Sequence, residues 1–278
     1  MTTIARSRSV LAAATLLAAA AGAAEAAEPL RICAATKEAP YSSADGSGFE
    51  NRIAVKLAEA MGREPQFVYA DKFAIYIVRD YLETGECDVV LGVDSGDERL
   101  ATSKPIYRTG YVMVSRQDEN FDTADWEAIR DTRFSRFAIR FYSPAETILK
   151  YTGKWEDNAA YLYGLIDFKS NRNTYNQVDA SRLVSEVAGG EADLAIAFAP
   201  DVARYVKSAS VPMRMTMIDR PITRTDGKTI PLQYDQAIGV RKDDTALLAE
   251  IEAALPKIRA DIDQILAEEG IPLLPPSS

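Results

Sequence analysis

The sequence has 278 residues, of which 47% are hydrophobic and 26% charged, as in an ordinary globular protein. It has no histidine and only two cysteines, which excludes Ser-His-Asp and Cys-His nucleophile pairs, imidazole zinc sites, histidine-ligated haem and four-cysteine metal centres. With 32 basic and 41 acidic residues, the net charge of −9 argues against a nucleic-acid partner, whose phosphates require clustered Lys and Arg.

The N-terminal segment 1–26 predicts a cleaved export signal. Arg6 and Arg8 precede an apolar stretch rich in Ala and Leu, and the small residues at 24 and 26 fit a cleavage site. The apolar stretch is about 15 residues long, whereas a membrane span needs roughly 20. We therefore expect an exported protein, residues 27–278, without a membrane anchor.

After this segment, short apolar strands alternate with amphipathic helices. Ile53, Leu57 and Ala60 recur at helical spacing, for example, and Gly62 ends that helix. Such alternation predicts an α/β lobe with a mainly parallel sheet. The predicted elements are a strand at 30–35, a helix from 48 to 62, a strand at 66–69, a helix at 75–82 and a strand at 88–92.

A second lobe is predicted by an internal repeat. Gly-Glu-Cys-Asp-Val-Val at 85–90 recurs as Gly-Glu-Ala-Asp-Leu-Ala at 190–195, an offset of 105 residues. About the same offset carries the first strand onto a predicted strand at 137–141. A shared offset indicates duplicated α/β lobes.

The helix that follows the 137–141 strand has three start signals. Ser143 suits the N-cap, Pro144 the first helical position, and Glu146 the third position of a capping box, while Gly153 ends the helix. The free N–H groups at this start could hold an anion in a cleft, or Ser143 could simply cap the helix.

Two strands, at 111–115 and 236–240, are expected to connect the lobes. A polar segment at 223–228, which we interpret as a mobile loop, precedes the second of them. The tail at 244–269 is helical, with a break at Pro256, and should pack on the first lobe. This layout predicts a cleft between the lobes, where ligands and partners commonly bind.

Several stretches distributed over nearly all of residues 27–278 match a known family. They are 48–54, 75–80, 87–94, 103–112, 143–146, 158–163, 168–170, 197–200 and 268–275. With these stretches and the two-lobed layout, the chain resembles the type 2 periplasmic solute-binding proteins, and most closely their MxaJ (MoxJ) family of methanol-oxidation accessory proteins. A sister family serves lanthanide-dependent dehydrogenases.

The resemblance implies a two-lobed fold, with lobe 1 at 27–113 plus 237–278 and lobe 2 at 114–236. It also implies a periplasmic protein that helps produce, mature or activate a PQQ-dependent methanol dehydrogenase by contact with that enzyme or its immature large subunit. No catalysis, cofactor or metal is implied for the chain itself. The alternatives are a small-solute receptor of an ABC-type transporter, or an enzyme, which would need a buried cleft acid with a raised pKa.

Amino-acid receptors of this fold grip the ligand carboxylate with a Thr-x-x-Arg element, and here Gly-Asp-Glu-Arg at 96–99 keeps Arg99 without the threonine. Their ammonium-binding acid would fall five residues after Asp193, where Phe198 stands. Half of the clamp is missing, so we expect no free amino acid to bind tightly.

Arg99 has a second interpretation, as a loop arginine paired with Asp94 or Asp97. Those two carboxylates and Glu98 could instead hold a calcium ion, although their spacing is not that of an EF-hand.

Tyrosines at strand ends and helix starts predict a cleft that accepts a peptide or protein, since tyrosine buries area and keeps a polar handle. Each could equally be a core or rim residue. The cleft candidates are Tyr41, Tyr76, Arg99, Tyr107, Arg140, Tyr142, Ser143, Tyr163 and Phe198, and the basic residues expected to face an acidic partner are Arg79, Arg99, Lys104, Arg108 and Arg140.

Cys33 and Cys87 are expected to form a disulfide. They are the only thiols, the compartment implied by the resemblance is oxidising, and the fold places their strands side by side.

Overall fold

The computed structural model describes residues 27–166, 177–275 and 277. The predicted export signal at 1–26 and the matched stretch at 168–170 lie outside the described residues.

The strands follow the predicted alternation, with several short additions. They are β1 (Leu30–Ala35), β2 (Lys37–Glu38), β3 (Ser42–Ser43), β4 (Pro65–Ala70), β5 (Val89–Asp94), β6 (Ala101–Thr102), β7 (Tyr107–Arg116), β8 (Phe137–Ile139), β9 (Leu194–Phe198), β10 (Met213–Met217), β11 (Ile222–Thr223), β12 (Thr229–Ile230) and β13 (Gln233–Val240).

None of the described helices combines the length and the apolar content needed to cross a bilayer. The α-helices are α1 (Phe49–Met61), α2 (Pro144–Thr152), α3 (Trp155–Gly164), α4 (Ala180–Ala188), α5 (Ala199–Lys207), α6 (Thr245–Ala254) and α7 (Arg259–Glu269).

The main sheet runs in the order β4-β1-β5-β13-β7-β9-β8, and the molecule has the two-lobed periplasmic-binding-protein fold. β1 is parallel to β4 and β5, and β8 is parallel to β9, as the βαβ pattern predicts. β7 and β13 run antiparallel to each other and connect the lobes, which confirms the two crossing strands. The predicted lobe boundaries at 113/114 and 236/237 fall inside these strands and stay a prediction.

The repeat is visible in the register of the two parallel pairs. Ile32 lies opposite Val89 in lobe 1, and Phe137 lies opposite Leu194 in lobe 2, so both partners are shifted by the same 105 residues. The two lobes therefore share the same local architecture, which supports the duplication.

Each lobe has its own apolar core. One cluster centres on the buried middle of β7, on β9 and on α4, and another on α1, β13 and the C-terminal helices. A third, smaller cluster contains the Cys33–Cys87 disulfide, which confirms the predicted pairing; its Cα atoms are 5.4 Å apart.

The C-terminal segment breaks at 255–257 around Pro256, as predicted, and packs on α1. It also reaches lobe 2, because Glu269 accepts hydrogen bonds from Arg204 Nε at 2.6 Å and Nη2 at 2.8 Å. The tail therefore contacts both lobes.

Two segments differ from expectation. The predicted helix at 75–82 is a 3₁₀ turn, Ala74–Tyr76, followed by a π-helical turn, Val78–Leu82. The Ala74 N–H donates to Glu38 Oε1 at 3.1 Å, a long-range contact that periodicity does not reveal. The polar segment at 223–228, which the sequence analysis interprets as a mobile loop, contains the turn of the β11–β12 hairpin.

Candidate functional site

A cavity of about 460 Å³ lies between the lobes, a volume within the range of small-molecule pockets. Lobe 1 contributes residues from β1, α1 and β5, lobe 2 contributes the segment after β8 and the end of β9, and β7 and β13 supply residues between them. Predicted candidates on its wall are Tyr41, Arg140, Tyr142, Ser143 and Phe198.

Other predicted candidates lie off this wall. Tyr107 is only 4% exposed and its ring lies 6.5 Å from that of Phe49 in the core, so the expectation that it faces the cleft is wrong. Tyr76 stacks against Arg79 at 5.5 Å. Tyr163 is 51% exposed and lies beside the cavity, with its ring 5.2 Å from that of Phe141.

Arg99 does not line the cavity. Its guanidinium makes a bidentate contact with Asp97, Nε to Oδ1 at 3.0 Å and Nη2 to Oδ2 at 2.6 Å. This hydrogen bond holds the pKa of Asp97 below its usual range. The structure therefore favours the loop-pairing interpretation of Arg99 over a carboxylate grip on a ligand.

Among the described residues of the cavity wall, Arg140 supplies the guanidinium, and it joins the two lobes. Its Nη1 lies 3.1 Å from Asp201 Oδ1 at the start of α5, and its Nη2 lies 3.5 Å from Glu38 Oε2 on β2. Both carboxylates are buried. A bridge of this kind satisfies two desolvated acids with one cation.

Glu50 is a third acid on the wall, in the first turn of α1. The charged side chain that acts on its carboxylate is Glu38, which carries the same sign of charge. The carboxylate lies against Gly92, where a Cβ would collide with it, and Gly92 also has a φ of 68° that suits glycine. Burial, with the nearby charge of Glu38, raises the pKa of Glu50 to about 8.

Aromatic rings form much of the remaining wall. The Phe198 ring lies 5.6 Å from the Tyr111 ring and 5.8 Å from the Tyr234 ring. The position at which amino-acid receptors carry their ammonium-binding acid therefore belongs here to a cluster of three aromatic rings. Burial raises the pKa of Tyr111 and brings that of Tyr234 to about 12, so both hydroxyls stay protonated.

Ser143 occupies the predicted N-cap position, but the capping box does not form. Its hydroxyl donates to the Arg140 carbonyl at 2.7 Å, and Glu146 accepts from the Tyr142 N–H at 2.8 Å. The tight turn explains this, since Tyr142 adopts a φ of 58° and displaces the serine from the helix N–H groups.

The expected basic patch is not assembled at the cleft. Four of its five members pair elsewhere because acidic or carbonyl partners lie close to them: Arg79 with Asp80, Arg99 with Asp97, Lys104 with Glu252 and Arg108 with Asp235 and the Pro275 carbonyl. Only Arg140 lines the cavity.

The predicted acidic loop distributes its groups among different partners. Asp94 accepts from Gln236 Nε2 at 2.8 Å, and Asp97 is held by Arg99. Within the part of the chain that the structure describes, no cluster of three or more Cys, Asp or Glu side chains could hold a metal ion.

Sequence reasoning missed Glu38, Glu50 and Asp201. The sequence analysis named no acid with a raised pKa, and Glu50 is one. Its only sequence signal is its position in a first turn, which reads as ordinary helix stabilisation. The close approach of Glu50 to Gly92 depends on the fold and is not visible in the sequence.

Comparison with known proteins places these features in context. Residues 30–268 match the bacterial extracellular solute-binding proteins, family 3. Protein MoxJ of Paracoccus denitrificans is 54% identical over 248 residues, which cover 89% of this chain and 90% of that protein.

Two solved structures are similar over most of their length. The crystal structure of MxaJ from Methlophaga aminisulfidivorans MPT is 46% identical, covers 88% of this chain and 100% of that one, and has a TM-score of 0.82. Periplasmic binding protein XoxJ from Methylobacterium extorquens AM1 is 23% identical, with coverage of 88% and 99% and a TM-score of 0.63, and shows the fold alone.

Proposed function

The chain belongs to the bacterial extracellular solute-binding proteins of family 3 and, within them, to the MoxJ/MxaJ proteins, and on that premise we propose that it is a periplasmic accessory protein of methanol oxidation. It acts on a PQQ-dependent methanol dehydrogenase, or on its immature large subunit, during production, maturation or activation. The observation that carries this proposal is the 54% identity to MoxJ over nearly the whole chain.

The cavity supports contact with a protein rather than capture of a free amino acid. Arg99, the remaining half of the receptor clamp, is held by Asp97 away from the cavity. On the cavity wall, Ile75 is 58% exposed and Tyr142 is 79% exposed, and the ring of the half-exposed Tyr163 lies 5.2 Å from that of Phe141, another wall residue. Exposed aromatic and apolar groups around a concave site are typical of a protein interface.

We call Ile75, Tyr142 and Tyr163 the rim. An incoming enzyme segment would cover these side chains and insert into the cavity behind them. The chain itself serves as a binding protein in this proposal and performs no catalytic step.

The test is a pull-down from the periplasm of a methanol-grown host, with residues 27–278 as bait and mass spectrometry as the readout. The dehydrogenase should be retained, and the double variant Tyr142→Ala/Tyr163→Ala should retain much less of it. The matched control is Leu273→Ala, which removes an exposed apolar side chain distant from the rim in sequence. Equal retention by all three proteins would move the interface to another face.

A solute-receptor function remains the second candidate, because the cavity has the volume of a ligand pocket. It predicts a small molecule that co-purifies with the native protein, together with a membrane transporter as the retained partner. The same bait applied to detergent-solubilised membranes, beside the periplasmic extract, therefore separates the two functions.

A further inference from the structure

Helix α5 follows β9 in lobe 2, yet it packs on both lobes. Ala199 and Val202 lie fully buried in the core cluster of lobe 2. Ala203 is also fully buried, but it belongs to the core cluster of lobe 1, which contains α1 and the C-terminal helices. Because α5 also contacts α7, the packing of this helix continues from one lobe into the other.

A row of polar side chains follows α5 towards lobe 1. Asp201, Arg204 and Lys207 recur at three-residue spacing, which places them on neighbouring turns of the helix. Arg204 donates to the Glu269 carboxylate from Nε at 2.6 Å and from Nη2 at 2.8 Å, and Glu269 is only 6% exposed. Charge-assisted bidentate pairs of this kind are strong and fix the relative position of the groups that form them.

The two ends of this row also reach lobe 1. Lys207 Nζ donates to the Glu268 carbonyl at 2.7 Å. Asp201 lies 3.1 Å from Arg140, whose guanidinium continues to Glu38 on β2 at 3.5 Å. Since these contacts belong to one helix, a hinge movement that draws α5 away from lobe 1 breaks them in a single step.

The tail is itself fixed where it meets α5. Gly270 ends α7 with a φ of 77°, and a Cβ added there would lie 3.4 Å from Lys207 Cδ, so this turn lies in van der Waals contact with α5. Two residues later, the Pro272 carbonyl accepts a hydrogen bond from Thr109 Oγ1 on the crossing strand β7 at 2.6 Å. The end of α7 is therefore anchored to the segment about which the lobes would turn.

Two-lobed binding proteins commonly close around their ligands by a hinge movement of the lobes. We propose that α5 and the end of α7 form a latch, made by Arg204, Lys207, Glu268 and Glu269, which holds the lobes of this chain at one separation without a ligand. The cleft is then a preformed site, and a partner that enters it does not have to order the lobes. The latch concerns the chain alone, so this inference goes beyond the proposed function and does not depend on it.

The experiment is double electron–electron resonance between nitroxide labels on Gln66→Cys and Ala160→Cys in residues 27–278. These exposed positions lie on β4 and on α3 beside β8, at the two ends of the main sheet, so a hinge movement about the crossing strands shifts them most. The native Cys33 and Cys87 stay in their disulfide and take no label. Without ligand, the labelled protein should give one interlobe distance.

Removal of the bidentate pair should open the lobes. Arg204→Met should add a second, longer distance to the distribution. The matched control is Arg52→Met, because Arg52 on α1 pairs with Glu268 and Glu269 of the same tail from within lobe 1. It should keep the single distance, and an equal second distance in this control would overturn the latch, since packing of the tail would then set the separation.

Lys207→Met keeps the test valid even where Arg204→Met does not fold, because Lys207 is exposed. This variant loses one hydrogen bond to the tail, so the longer distance should appear with a smaller population than in Arg204→Met. Two distances in the unmodified protein, or one unchanged distance in every folded variant of the latch, would overturn the proposal.

Retention of the dehydrogenase by the unmodified bait is a separate readout. Two interlobe distances in a protein that retains the dehydrogenase contradict the latch and leave the proposed function standing. One distance in a protein that retains no dehydrogenase contradicts the proposed function and leaves the latch standing.

Discussion

The regions around Arg99 and Arg140 show how differently the same side chain can be used. Arg99 lies in an exposed loop and pairs with a residue two positions away. Arg140 lies between the lobes and pairs with Glu38 and Asp201, which are distant in sequence. The arginine suggested by the receptor motif has a local partner, whereas the one that shapes the cavity has partners supplied by the fold.

The largest expected effect is the loss of stability when the Arg140 guanidinium is removed. Arg140→Met leaves Glu38 and Asp201 buried without their cation, so the free energy of unfolding should fall by about 3 kcal/mol. Urea unfolding measures it. The triple variant with Glu38→Gln and Asp201→Asn should recover much of the loss, and no recovery would show that charge is not the cause.

The matched change at the other arginine should be small. Arg99→Met removes an ion pair whose arginine side chain is 58% exposed, so the free energy of unfolding should change by about 0.5 kcal/mol or less. A loss as large as that of Arg140→Met would contradict the contrast between the two regions.

The stability of the two regions should also depend on pH in opposite directions, through Glu50 on the cavity wall that Arg140 lines and through Asp97 beside Arg99. Because burial raises the pKa of Glu50 from 4.5 to about 8, the folded protein binds a proton that the unfolded chain releases, and this contribution to stability is lost as the pH rises between these values. For Asp97, whose pKa is lowered by Arg99, the contribution is lost as the pH falls.

Urea unfolding at pH 5 and pH 8 separates these effects. The free energy of unfolding of Glu50→Gln minus that of the unmodified protein should be larger at pH 8 than at pH 5. Asp97→Asn should show only a small difference, at the acidic end. Parallel pH profiles for the unmodified protein and Glu50→Gln would mean that Glu50 titrates normally.

The smallest effect expected is on amino-acid binding. Arg99 is engaged by Asp97, and the cavity acids repel a ligand carboxylate, so calorimetric titration with free amino acids should show no micromolar binding. A micromolar isotherm for any free amino acid would favour the solute-receptor function.

Much of the fold could be predicted because its signals are local. The strand 30–35, the break at Pro256 and the repeat at 85–90 and 190–195 each depend on neighbouring residues, and the structure confirms them. The disulfide followed from counting thiols and from the expected adjacency of two strands.

The site was less predictable because its contacts are long-range. Arg140 meets Glu38 across about a hundred residues, and the Glu50 carboxylate is fixed by Gly92 on another element. Tyr107 and Tyr142 illustrate the same limit, since both are strand or turn tyrosines, yet one is 4% and the other 79% exposed. Exposure depends on packing that periodicity does not encode.

The most direct measurement is the affinity of purified PQQ-dependent methanol dehydrogenase for residues 27–278, determined by surface plasmon resonance. Loss of two interface tyrosines should cost at least tenfold in affinity, so Tyr142→Ala/Tyr163→Ala should bind at least tenfold more weakly than the unmodified protein while Leu273→Ala binds equally well. No binding by the unmodified protein to the mature enzyme or to its large subunit, or identical affinities for all three proteins, would contradict contact through the rim.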